Sequence, residues 1–462
     1  MKTKPIVRIL TTVLLATGGA FAQSPAGPMN PPPPQPPMQP VGNPLPPPIQ
    51  QPPQFPPPPR LAPPPPPAKP QPTPQPPLPP KPQPTPQQPP PPPVEKPPIR
   101  LGDPLPNLNP KELADFQSGR AEFENVETAD SGLGPIFNNV SCVACHSAGG
   151  TGGGSAIFVT RFGRMVNGEF DPMADQGGSL LQEFAIDPAV REIIPAAADV
   201  IARRETTALF GAGLVEAIPD RAIMNNATRV KPDGIKGRVS LVKDVTSGRT
   251  RVGRFGWKAQ QATLLAFAGD AYLNEMGITN RFFPTENAPN GNTASLAQFD
   301  TVPDYEDQVD PGTGKSDTDK AADFMRLLAP PTQLPPTPSA EAGRMVFQQA
   351  GCAACHQPMM LTGASRIRAL NSKPVWLFSD LLLHDMGSLG DGIAQGAAGM
   401  REMRTAPLWG LRARSPYLHD GRAATVDEAV RAHDGEAAGT RDRYIGLTDD
   451  ERRQLLDFLN SI

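Results

Sequence analysis

The sequence predicts a mainly α-helical protein of two related modules, the first enlarged by insertions, behind a proline-rich amino-terminal segment. Three observations lead there. The pattern C-x-x-C-H occurs twice, as Cys142-Val-Ala-Cys145-His146 and Cys352-Ala-Ala-Cys355-His356. Each copy follows a similar phrase, Gly119-Arg-Ala-Glu-Phe123 before the first and Gly343-Arg-Met-Val-Phe347 before the second. Alternating apolar and polar runs, the mark of half-buried strands, are few.

The chain contains four cysteines, and the two motifs use all of them. C-x-x-C-H is the attachment signature of c-type haem, in which the thiols form thioethers to the porphyrin vinyls and the histidine ligates the iron. A single copy would also suit a redox C-x-x-C or half a zinc site. Two complete copies with no cysteine left over point to two covalently bound haem c groups, and so to two cytochrome c-like domains. Haem c is attached outside the cytoplasm, which predicts a periplasmic protein.

Composition sets the outer limits. A chain of 462 residues could hold two or three domains, but 64 prolines and a negative mean hydropathy imply that part of it builds no core. A net charge of -3 is too small to suggest nucleic-acid binding or strong electrostatic attraction to membranes.

In chain order, residues 1–22 read as a secretory signal peptide. Lys2, Lys4 and Arg8 precede a short apolar run, and Ala20-Phe-Ala22 offers a cleavage site. The run is shorter than the roughly 20 residues a membrane span needs, so no transmembrane segment is expected after cleavage. Residues 23–100 form a proline-rich linker, expected to be disordered and extended because proline fixes φ and removes a backbone donor. A passive tether is its plainest reading, with a ligand for proline-binding partners as the other.

The first haem domain is expected over 101–330, opening with Asn109 as N-cap and Pro110 at the first helical position. The glycine-rich run Gly149–Gly154 lacks the lysine and serine of a phosphate loop and is expected to let backbone pass close to the haem. Pro330–Pro338 forms a second break, so the second domain is expected over 331–462, with a helix from Ser339. Arg204, Thr206 and Leu209 are echoed by Arg404, Thr405 and Leu408. Thr448 and Glu451 form a capping box for a last helix striped by Leu455, Phe458, Leu459 and Ile462.

Five histidines are available, and none lies between the two motifs. His146 and His356 are the expected proximal ligands. His384, His419 and His433 all follow the second motif. The first haem therefore either borrows a distal histidine from the second domain or keeps its sixth position for water, a vacancy, or a weaker donor such as Met165, Met276 or Tyr272. An open position permits reaction with peroxide or oxygen, whereas a six-coordinate iron mostly transfers electrons.

The stretches Thr405-Ala-Pro-Leu-Trp-Gly-Leu-Arg412, Pro416-Tyr-Leu-His-Asp-Gly421 and Ala424–Val430 resemble the corresponding block of bacterial di-haem cytochrome c peroxidases. Together with Asp380-Leu-Leu-Leu-His-Asp-Met-Gly387 they are closer still to the di-haem oxidoreductases that carry a thiol-oxidoreductase label. The resemblance covers most of 101–462. It implies His433 as distal ligand of the second haem, where the peroxidases usually carry methionine, with His384 and Met386 as rivals and His419 near the haem without ligating it. Bis-histidine ligation would lower the potential of that haem. The resemblance also places Trp257 between the haems as an electron relay, and Glu275 at the open side of the first haem as acid–base group. The segment linking them is two residues shorter than in the peroxidases, and Phe267 replaces the family's glutamine. The loop Asp304–Asp319 is a candidate calcium site by the same resemblance, although its spacing matches no EF-hand and a solvated acidic loop is the simpler reading.

The function these readings predict is a periplasmic di-haem oxidoreductase of peroxidase type. It would reduce peroxide or a similar small-molecule oxidant at the first haem, with electrons from a periplasmic electron-transfer partner relayed through the second. The alternatives are a di-haem electron-transfer cytochrome without catalysis of its own, and a di-haem oxygenase.

Overall fold

Helix α1 (Pro110–Phe123) starts where its capping residues dictate. Asn109 Oδ1 accepts from the Glu112 N–H at 2.9 Å, and Glu112 Oε2 accepts from the Asn109 N–H at 2.9 Å. Proline at the first position is free of cost because its missing N–H would have been an orphan donor. The computed structural model describes residues 100–462. The leader expected over 1–22 and all but the last residue of the linker expected over 23–100 lie outside the described residues.

Helix outweighs strand among the described residues, 36% against 16%, in keeping with a mainly α protein. After α1 come a single turn, α2 (Cys142–Cys145), then α3 (Ala212–Glu216), α4 (Asp220–Thr228), α5 (Leu264–Met276), α6 (Thr293–Phe299) and α7 (Asp317–Leu327). The second half holds α8 (Pro338–Gln349), α9 (Val426–Arg431), α10 (Ala438–Ile445) and α11 (Asp449–Ser461). Thr337 caps α8, which begins at Pro338, just ahead of the Ser339 start read from the sequence. Thr448 and Glu451 form the expected reciprocal cap on α11. No described helix is long and apolar enough to cross a membrane.

One sheet was not legible in the sequence. The strand Phe158–Val166 pairs antiparallel with Glu169–Asp171, Leu180–Leu181 and Val200–Glu205. Its residues are half-buried on both faces over most of its length, because one face looks into a cavity and the other onto protein. Such a strand has no polar face, so the alternation that would announce it is missing.

Two apolar clusters organise the chain. In the first, Phe116, Phe123 and Phe324 bring α1 against α7, with ring centres 4.6–5.3 Å apart where Phe324 meets the other two. The same cluster takes in Leu377, Leu381 and Leu382 from beyond the second C-x-x-C-H. The second cluster joins α8 to α11 through Phe347, Phe378 and Phe458, whose rings meet edge-on at 5.4–6.1 Å. Both clusters lie within one compact unit of the described residues.

The repeated G-R-x-x-F phrase now has a physical meaning. A side chain at Gly119 would run into the backbone of Lys320 and Phe324 on α7, and one at Gly343 into the backbone of Gln454 on α11. Each glycine lets a second helix approach closely. Each phenylalanine, four residues on and hence on the same face, packs beside its motif. Phe123 meets His146 at 5.9 Å between ring centres, and Phe347 lines the cavity that holds His356.

Most aspartates of the candidate calcium loop are paired internally, whereas Glu306 Oε2 is buried without a hydrogen-bond partner. Asp307 and Asp319 both bind Arg281 at 2.7 Å, Asp310 and Asp317 share Lys320, and Asp304 accepts from the Thr279 N–H at 2.6 Å. Among the described residues no three carboxylate, cysteine or histidine groups converge as ligands of a metal ion.

Candidate functional site

Two cavities, one beside each C-x-x-C-H motif, make up the site. The first is walled by Cys142, Cys145 and His146, by the strand Phe158–Val166 and by α5. The second is walled by Cys352, Cys355 and His356, by 403–419, and by α9 with the residues after it.

Each motif histidine is presented in the same way. His146 Nδ1 donates to the Gly153 carbonyl at 3.1 Å, and His356 Nδ1 to the Phe378 carbonyl at 3.0 Å. A carbonyl can only accept, so the proton sits on Nδ1 and the Nε2 lone pair is free. This is the orientation a metal-bound histidine takes. Burial pushes both pKa values down to about 4, so both rings are neutral and able to ligate. The glycine-rich run supplies the first of these carbonyls and also returns the Gly152 N–H to the His146 carbonyl at 2.8 Å. At Gly153 any side chain would strike the Ala148 carbonyl, so close backbone passage is obligatory there.

In the second cavity His433 faces His356, with ring centres 6.4 Å apart. Metal–imidazole bonds of about 2 Å on opposite sides of one iron would place two ring centres roughly 6 Å apart. His433 Nδ1 donates to the Ala429 carbonyl at 2.8 Å, which again frees Nε2, and burial lowers its pKa. The rivals differ from it. His384 has both nitrogens engaged, Nδ1 with Glu436 at 2.7 Å and Nε2 with Asp380 at 3.1 Å. Burial works against its charge, but bonds to Asp380, Cys355 and Glu436 raise its pKa to about 11. That ring is a protonated ion-pair partner with no free lone pair. Met386 lines the same cavity without such engagement. His419 lines it too, buried and held near pKa 4 by that burial, with its ring edge-on to Trp257 at 6.2 Å.

The first cavity contains no second imidazole. Glu275, near the end of α5, points into it and accepts from Asn138 Nδ2 at 2.9 Å. Its own backbone carbonyl accepts from the N–H groups of Asn138 and Asn139, which ties the helix end to the segment that enters the first motif. Burial raises the Glu275 pKa, opposed by the Asn138 bond and by the charge of Arg161. Tyr272 and Met276 also reach this cavity, although the Tyr272 hydroxyl donates to Glu122 at 2.7 Å. Met165 does not line it: it stands partly exposed in the strand Phe158–Val166, paired with Phe170.

Trp257 lines both cavities. Its indole N–H donates to the Glu205 carbonyl at 2.8 Å, and its own carbonyl accepts from the Arg404 N–H at 2.9 Å. The ring is thereby fixed from both halves of the chain.

Sequence reasoning assigned no role to two cations on these walls. Arg404 is buried, and its guanidinium donates to the carbonyls of Gly256 and Thr405 with no carboxylate in ion-pair range among the described residues. A buried guanidinium without a counter-charge is costly, and a haem propionate would supply one. Two thiols and an oriented histidine fit a haem in each cavity, and Arg404 adds a counter-charge for a propionate in the second. The second cation is Arg161, on the wall of the first cavity with no carboxylate in ion-pair range among the described residues. Arg404 was visible only as part of a repeated phrase, and Arg161 sits in the strand that lacked an alternating pattern.

A model of the family described as "Di-haem oxidoreductase, putative peroxidase" matches residues 196–462. No protein of curated function matches in sequence. Among solved structures, hydrazine synthase of Kuenenia stuttgartiensis is 15% identical, with 79% of this chain and 95% of that one covered at a TM-score of 0.37. The diheme peroxidase BthA of Burkholderia thailandensis is 15% identical over 77% and 86%, at 0.35. A MauG-like protein associated with microbial copper homeostasis is 17% identical over 55% and 88%, at 0.28. These overlaps are too loose to carry an argument.

Proposed function

We propose that this chain, which belongs to the di-haem oxidoreductase family, is a periplasmic peroxidase-type enzyme that reduces peroxide in its first cavity with electrons passed through its second. The observation that carries this reading is the asymmetry of the two sites. His356 faces a second oriented imidazole, His433, whereas the cavity of His146 offers Glu275 and Arg161 in its place.

Haem c, held covalently by Cys142 and Cys145 in one cavity and by Cys352 and Cys355 in the other, would supply O–O bond cleavage and one-electron storage. The chain's own groups do the rest. Glu275 accepts a proton from peroxide entering the first cavity and returns it to the departing oxygen, a transfer that its raised pKa favours. Asn138 holds the carboxylate in place for both steps. His433 and His356 keep the second site closed to the oxidant. Trp257 spans the wall between the cavities as the aromatic route for an electron. An external electron-transfer protein supplies two electrons per peroxide, and export follows from the leader-like pattern Lys2–Ala22.

The test is the low-temperature EPR spectrum of the ferric protein before and after peroxide. One high-spin and one low-spin signal, with the high-spin signal consumed by peroxide, is the expected result. Two low-spin signals indifferent to peroxide, in the ferric and half-reduced protein alike, would instead make it an electron carrier.

A further inference from the structure

We propose that Arg161 is a second catalytic residue of the first cavity: it binds the outer oxygen of peroxide and holds the negative charge that develops there as the O–O bond breaks. This rests on the peroxidase reading above and adds to it a residue with a defined role.

Arg161 belongs to the strand Phe158–Val166, paired through its backbone with Leu180 on one side and Ala202 on the other. Val159 and Arg161 are two apart, so they project from the same face of the strand, and both line the first cavity. The guanidinium is thus carried on a rigid, doubly hydrogen-bonded element, the best support for a preorganised group.

Its bonding is incomplete. Nη1 makes one long hydrogen bond, 3.4 Å to Ser179 Oγ, and Nε is sealed from solvent with no acceptor. No carboxylate lies in ion-pair range of it among the described residues. The two acidic groups nearest in charge are committed elsewhere. Glu275 accepts from Asn138, and Asp270 accepts from Asn274 Nδ2 at 3.0 Å. Arg204, the other cation on this wall, differs in having a carboxylate, Asp391, in ion-pair range at 2.6 Å. Burial lowers the Arg161 pKa only to about 10, so it stays charged at neutral pH. A buried donor with no acceptor costs stability, and a preorganised donor aimed where charge develops speeds the reaction that develops it.

The O–O bond breaks, and the outer oxygen takes the bonding pair. Glu275 delivers to it the proton taken from the inner oxygen, and it leaves as water. The inner oxygen leaves as a second water after receiving two electrons from the external one-electron donor and two protons from solvent. Arg161 gives up no proton; it donates a hydrogen bond throughout.

Fluoride is the probe, because it is a small anion that binds an open ferric haem and is tightened by donors beside it. The fully loaded wild-type protein should form a fluoride complex visible in the high-spin absorption bands. Arg161→Gln should bind fluoride about ten- to a hundredfold more weakly, the loss expected for one hydrogen bond to a charged group, and should slow peroxide turnover about a hundredfold or more. Arg161→Lys, which keeps the charge, should recover part of the fluoride affinity. Equal fluoride affinity in wild type and Arg161→Gln would overturn the proposal while leaving the peroxidase reading intact. Equal weakening by Gln and Lys would also overturn it, since charge would not be the cause. Absence of any fluoride complex in the wild type, in the ferric and half-reduced protein alike, would remove the open first site, and this proposal with it.

Discussion

Glu275 and His433 carry the sharpest expectations at the scale of single residues. Glu275→Gln keeps the shape and the Asn138 contact but cannot take a proton. Peroxide turnover should fall about 10²–10⁴-fold, the usual worth of a positioned acid–base group, with both haems still attached by mass. Unchanged turnover would end its assigned role. The pH profile gives a second reading. Burial raises the folded pKa of Glu275, so its basic form is lost on acidification earlier than for a free carboxylate. The acidic limb of the wild-type rate should therefore lie at higher pH than an exposed glutamate would set, and Glu275→Gln should lack that limb. His433→Ala should convert the second haem from low-spin to high-spin. A low-spin spectrum unchanged by the substitution would pass the ligand role to Met386, because both nitrogens of His384 are engaged by Asp380 and Glu436.

At the scale of elements, the paired glycines are the most exacting positions. Gly119 is buried where α1 crosses α7, and a side chain there meets backbone, which cannot rotate away. Gly119→Val should cost about 1–3 kcal/mol, the usual penalty of overpacking, measurable as a lower midpoint of chemical unfolding. Because Phe123 rides on the same helix and packs on His146, the visible spectrum of the first haem should shift as well. An unaltered midpoint would show that α1 and α7 can separate freely.

At the scale of the whole molecule, the two halves are bound by buried charge as well as by apolar contact. Asp391, from the second half, accepts from Arg204 at 2.6 Å and Lys258 at 2.9 Å, both from the first, and all three groups are buried. Asp391→Asn would strand two buried cations, and removing one partner of such a group costs about 3–5 kcal/mol. Burial alone would raise the Asp391 pKa, but the charges of Arg204 and Lys258 lower it overall. For a carboxylate with a depressed folded pKa, stability is present above the unfolded value of about 3.9 and lost as pH falls through the folded one. The wild type should thus lose this contribution only in strong acid, and Asp391→Asn should lack it at every pH. Calorimetry at pH 7 and pH 3 checks both statements; equal midpoints for the two proteins at pH 7 would refute the coupling.

What the sequence determined by itself is whatever is local along the chain. Two C-x-x-C-H motifs each hold thiols and histidine within one helical turn, so their chemistry is readable from five residues. The caps at Asn109 and Thr448 depend on partners three residues away and are equally plain. His433 was named from a resemblance, and Glu275 likewise. Tertiary structure alone decided what surrounds them. The orientation of His146 depends on the carbonyl of Gly153, that of His356 on Phe378, and the pairing of His433 with His356 on how α9 packs. Arg161 acquires meaning only because Glu275, more than a hundred residues later, lines the same cavity. A cavity wall is assembled from segments distant in sequence, and burial, unmet hydrogen bonds and shifted pKa values are properties of that assembly, so no local pattern could have announced them.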